Sequence, residues 1–141
     1  MAFIRETNAA TRVFATFPKK ASTEFACNSA VAFSGGEVQP AVSTDTRLAG
    51  IIQQKISSTD SDYASETDVT VELIDPTAFY LCDVTTGTLT TESVGVQYDL
   101  DSSVGINVNS TSHKQVTCVA YISATQGLFV FNAAFQFANA V

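Results

Sequence analysis

The sequence predicts an all-β protein, an antiparallel β-barrel or sandwich with an extended N-terminal arm, and three observations carry that prediction. From Val69 onward, apolar and polar residues alternate with a period of two through run after run, as strands with one buried face do. Turn residues interrupt those runs about every ten residues, the rhythm of a sandwich or barrel. The chain is 45% hydrophobic but only 15% charged, with Ser and Thr standing where exposed helices carry Lys and Glu.

Taken in order, residues 1–20 hold Phe3, Phe14 and Phe17 without a sustained period and are broken by Pro18. They read as an extended arm. Residues 21–141 form a single domain, and a chain of this length buries roughly 68% of its unfolded surface without needing a metal or disulfide. EFACNSAVAF and GEVQPAV supply the first strands around Gly35-Gly36. LAGIIQQKI (48–56) is the next, with Gly50 marking a bulge or a close backbone approach. SSTDSDYASETD (57–68) has the composition of a loop. VTVELI, FYLCDV, TLTT, VGVQYDL, VGINVN, QVTCVAYIS and GLFVF then follow as strands, separated by Asp75-Pro76, Thr86-Gly87, Asp101-Ser102-Ser103, Asn109 to His113 and Thr125-Gln126-Gly127. YLCDVTTGTLTT places Tyr80, Cys82 and Val84 on one face and Asp83 on the other, and Gly87 supplies the positive φ of a hairpin turn.

The charge of −7 is unevenly spread: residues 1–47 carry five basic and four acidic residues, residues 48–141 two and ten. An acidic body repels phosphate, which argues against nucleic acid as a partner. The cations of the first segment suit an acidic protein surface, or are ordinary solvated charges. The start, MAFIRETNAATRV, has neither the basic n-region nor the apolar core of a signal peptide, and no run approaches the ~20 apolar residues of a membrane span. Synthesis in a cytoplasm and reduced thiols are expected, since Cys27, Cys82 and Cys118 are odd in number and lack Cys-x-x-Cys spacing.

Chemistry finds little purchase. Asp60, Asp62, Glu66 and Asp68 begin like a calcium loop, but Ser65 stands at its sixth position and Val71 at its twelfth, so no metal is expected. The single histidine, His113, lies in a polar connection and no Gly-x-Ser-x-Gly elbow presents a serine. DVTTG is not the Asp-Thr-Gly of paired-aspartate proteases, and phosphate-cradling loops are absent. The expectation is a non-enzymatic protein without a cofactor. Tyr63 either stacks on a ligand or folds down over the barrel edge. Phe14 and Phe17 in the basic arm, and Phe135 and Phe137 in FNAAFQFANAV, look positioned to be covered, either by another chain or by local packing.

The ordered series PKKASTEFACNSAVAF, GEVQPAV, RLAGII, TTGTLTTESVGVQYDL and VTCVAYIS resembles the small capsid decoration, or cement, proteins of tailed double-stranded DNA bacteriophages. The resemblance covers nearly the whole chain as a pattern and contains no diagnostic motif. It implies a compact β-barrel or sandwich, a homotrimer, seated on the capsid exterior with an arm along the major capsid protein. From the residues themselves, the expected capsid-binding groups are Arg5, Arg12, Phe14, Phe17, Lys19 and Lys20, and the expected oligomer interface holds Phe135 and Phe137. Removing the arm is expected to leave the 48–141 strands folded. The competing expectation is a receptor- or glycan-binding β-module of a fibre or cell surface.

Overall fold

A computed structural model describes residues 3–5 and 12–132. The fold is all-β, a closed five-strand barrel joined to a second sheet. Its strands are β1 (Ile4–Arg5), β2 (Phe14–Pro18), β3 (Ser29–Ser34), β4 (Glu37–Pro40), β5 (Leu48–Ile52), β6 (Asp68–Leu73), β7 (Tyr80–Thr86), β8 (Gln97–Ser102), β9 (Gly105–Asn107), β10 (Val116–Ser123) and β11 (Gln126–Phe131). The barrel runs β7-β11-β10-β8-β9 and closes where β9 returns to β7 in parallel, Val84 opposite Ile106. β1 pairs with the first residues of β7, Arg5 opposite Tyr80. The second sheet is antiparallel, in the order β2-β6-β5-β3-β4.

Alternation explains the barrel. Tyr80, Cys82 and Val84 point inward from β7, Cys118 from β10 and Phe129 and Phe131 from β11, forming one core with Leu100, Ile106 and Val116. The second sheet is sandwiched. Ala30, Ala32, Leu48 and Ile51 face the barrel core, while Val31, Ala49, Ile52, Val69 and Val71 face a second core closed by Phe25 and Ile56. Burial on both faces is why SAVAF and LAGII read as continuous apolar runs instead of alternating.

Gly50 is both things expected of it. The register slips beside it, with Gly50 opposite Val31 but Leu48 opposite Ala32, so Ala49 is the extra residue of a bulge. A Cβ at Gly50 would lie 1.9 Å from the Glu72 carbonyl oxygen, so only glycine fits.

Two expectations are corrected. The 80–100 stretch is no hairpin: Gly87 has the positive φ of 87°, but β7 pairs with β1, β11 and β9, and β8 lies between β10 and β9. Thr90 bonds locally, while the Thr85 and Thr86 hydroxyls both donate to Asp101 Oδ2 on β8, at 2.7 Å and 2.8 Å. The Thr90 carbonyl accepts the Ser93 amide at 3.0 Å in a 3₁₀ turn, and the Thr90 amide donates to Ser93 Oγ at 3.1 Å, the local alternative to a ladder that short hydroxyl side chains offer. This crossing carries Leu89 into the barrel core.

The second correction concerns residues 1–20, whose described part is woven into both sheets instead of standing off as an arm. Phe3 is buried, its ring 5.3 Å from Phe131, and its amide donates to the Asn28 carbonyl at 2.8 Å. β2 pairs along its whole length with β6, from Phe14 opposite Glu72 to Pro18 opposite Asp68. Deletion of 1–20 would therefore strip strands from both sheets, contrary to the expectation that the body would fold without it.

Candidate functional site

β1 and β2 bring the predicted capsid-binding cations to quite different places. Arg5 Nη1 donates to Glu72 Oε1 at 2.8 Å with both side chains only 2% exposed, and Nη2 donates to Asp75 at 3.1 Å. Arg12 Nε stands 3.6 Å from the same Glu72 oxygen, and Gln53 Nε2 donates to Glu72 Oε2 at 3.2 Å. A carboxylate taken out of water needs such company, because an unpaired buried charge costs several kcal/mol. Burial pulls the Arg5 pKa down, but the bond to Glu72 and the surrounding negative charge leave it raised. Burial likewise pushes Asp75 up, and the Thr77 bonds and Arg5 outweigh it and leave its pKa lowered. Arg5 thus acts inside the molecule, clasping the barrel strand β7 to strand β6 of the second sheet. Tyr80, beside the clasp, keeps a buried hydroxyl without a partner among the described residues and a pKa pushed up to about 12, first by burial and then by Glu72.

Phe17 also turns inward, edge-on to Phe33 at 5.0 Å. Lys19 is buried to 4% exposure, with its Nζ 5.4 Å over the Tyr63 ring. Phe14, Lys20 and, at 43% side-chain exposure, Arg12 are what remain outside. On β2 the outward residues are Phe14, Thr16 and Pro18, and exposed Lys20 follows in the same period. Val13 and Phe14 are 55% and 48% exposed, with the half-exposed Arg12 next to them. Phe135 and Phe137 lie outside the described residues.

Tyr63 folds down against the second core. Two carboxylates of its loop are engaged within the protein: Asp60 Oδ2 accepts the Ser57 amide at 2.8 Å, and Glu66 accepts from Gln54 at 2.7 Å. Among the described residues no three His, Cys, Asp or Glu side chains stand close enough together to hold a metal ion. No helix there is long and apolar enough to cross a membrane.

One constellation escaped sequence reasoning. Asp99, on β8 and 1% exposed, accepts the amides of His113 and Lys114 at 2.7 Å each, Ser110 Oγ at 2.6 Å, and lies 3.3 Å from His113 Nδ1. Burial alone would raise its pKa. The bonds from Ser110, Lys114 and His113 lower it. Ser, His and Asp meet here, yet the Ser110 proton goes to Asp99 and not to the imidazole, so the relay that activates a serine nucleophile is not formed. The arrangement clamps the 109–114 loop onto β8. Only a threading of that loop back to β8 could have revealed it, since neither Asp99 nor Ser110 belongs to a motif. The thiols are free: Cys82 and Cys118 are buried and Cys27 is exposed. Burial, followed by Asp83 and Cys118, holds the Cys82 thiol well above its ordinary pKa, so it is inert as a nucleophile.

No protein-family model, curated protein or solved structure matches the chain.

Proposed function

We propose that this chain is a structural virion protein that binds the outside of an assembled phage capsid and stabilises its lattice of major capsid protein. In this reading it is non-enzymatic, needs no cofactor, and works as a homotrimer on the virion exterior. The sequence resemblance brings the family forward. The observation that carries the reading to a surface is the outer face of β2, where Phe14 stands open to solvent with Arg12 two residues before it and Lys20 just beyond the strand's far end, on a chain of net charge −7. Aromatic anchors with flanking cations are what a docking face onto an acidic protein surface needs.

A decoration protein acts as a state-selective ligand: it binds the assembled lattice and not its alternatives, and shifts stability by that difference. Modest contacts suffice when multiplied over many copies. The test is to mix the protein with expanded phage capsids that lack a decoration protein and to follow co-sedimentation. The full chain should pellet with the capsids. Phe14→Ser should weaken attachment roughly tenfold or more while leaving thermal stability unchanged, as expected for a surface anchor. A chain that does not attach, or whose Phe14→Ser variant attaches equally well, would defeat the reading.

A further inference from the structure

We propose that the cleft at the seam of the second sheet binds a neutral saccharide unit. The seam lies where the chain leaving β2 meets β4: Lys19 bridges Val38, the Lys19 amide donates to the Thr67 carbonyl at 2.9 Å, and the Lys20 amide to the Val38 carbonyl at 3.0 Å. Between these strands and the 63–68 loop opens a cleft of about 300 Å³, lined among others by Pro18, Lys19, Glu37, Tyr63, Glu66 and Asp68. That volume is at the lower end for small-molecule sites.

Lys19 marks the cleft as more than a gap between strands. The stem is buried, the residue being 4% exposed, while the ammonium keeps access to solvent and makes no hydrogen bond or ion pair among the described residues, its one charge contact being the Tyr63 ring. Three N–H donors therefore remain for whatever enters. Across the cleft, Glu66 is engaged by Gln54, whereas the Glu37 and Asp68 carboxylates accept from no protein donor among the described residues. Donors and acceptors are thus both held open around an apolar surface supplied by Pro18 and Tyr63.

The charge balance selects the ligand. Three carboxylates against one ammonium repel phosphate, sulfate and other anions. A divalent cation would meet the ammonium and lacks three clustered ligands. Sugar hydroxyls fit both walls, because each can accept from Lys19 and donate to a carboxylate, and the C–H face of the ring suits Pro18. An amino-acid zwitterion would occupy only one acceptor and one donor set, leaving the other open groups desolvated and unpaired.

The proposal rests on the cleft alone and holds or falls separately from capsid attachment. The full chain, ¹⁵N-labelled, is titrated with D-glucose, D-galactose, D-mannose and N-acetylglucosamine, with glycine and inorganic phosphate in parallel. At least one sugar should shift the amide resonances of Lys19, Tyr63, Thr67 and Asp68 saturably. Lys19→Met, which keeps the buried stem and removes the ammonium, should weaken that binding about tenfold. If Lys19→Met loses native peak dispersion, Glu37→Gln, at an exposed strand end, takes its place with the same expected direction. No shift with any of the sugars, a response to glycine or phosphate alone, or sugar shifts unmoved by the variant would overturn the proposal.

Discussion

Replacing Arg5 with Met removes the guanidinium from the buried clasp and keeps an apolar stem in its slot. The structure sets the size of the effect. Glu72 would lose its 2.8 Å partner at 2% exposure, but would keep Gln53 at 3.2 Å and Arg12 at 3.6 Å. Breaking a buried pair on one side costs about 3–5 kcal/mol, and the two remaining partners place this case near about 3 kcal/mol. For a domain of this size that lowers the melting temperature by about 10 °C. Urea unfolding of Arg5→Met, Glu72→Met and the double variant would measure it. The double variant should recover much of the loss, because no charge is then left stranded. A loss below about 1 kcal/mol for Arg5→Met would refute the reasoning, since that is what an exposed ion pair contributes; Arg5 would then be available to a partner after all.

Gly50→Ala should destabilise by at least about 1–3 kcal/mol, measured by thermal unfolding, because its Cβ would overlap the Glu72 carbonyl; an unchanged midpoint would show that the bulge relaxes freely. Asp99 has a lowered folded pKa against an ordinary unfolded value of about 3.9. Its stabilisation is therefore present above about pH 4 and is lost as pH falls through the folded pKa. Asp99→Asn should flatten that acid limb of the stability curve, and an unaltered limb would argue against it. Cys82→Ala should lower stability by about 1–2 kcal/mol through a small cavity and leave capsid attachment intact in the folded protein; non-reducing mass spectrometry showing an intrachain disulfide would contradict the free thiols.

Much of the strand content was legible because it is local. The Tyr80-Cys82-Val84 face, the β10 and β11 runs and the glycine at the β5 bulge each follow from spacing that any strand imposes. The two misreadings have non-local causes. Residues 3–5 carry no period to read, and their place comes from β7, from Asn28 and from a carboxylate on β6. TLTT has strand composition, yet Thr90 bonds Ser93 three residues on and Leu89 is drawn into the barrel. The same limit applies to the candidate surfaces: Lys19 and Lys20 are adjacent and chemically equal in sequence, but the bridge to Val38 buries one and leaves the other in solvent.

The packing of Phe3 against Phe131 and the pairing of Arg5 with Tyr80 bear on how the molecule comes into being. Residues 3–5 are made well before Phe131, the ring that Phe3 packs against, which is among the last described residues. Their native neighbours do not exist until β11 has emerged, and loop closure over such a span is slow. Phe3 must therefore wait in solvent or in transient non-native contacts during synthesis, and the second sheet waits with it, since Glu72 gains its closest cation only when β1 docks. The barrel and sheet should complete in one late, concerted event once β11 is available, with a window beforehand in which unpaired strand edges are open to aggregation.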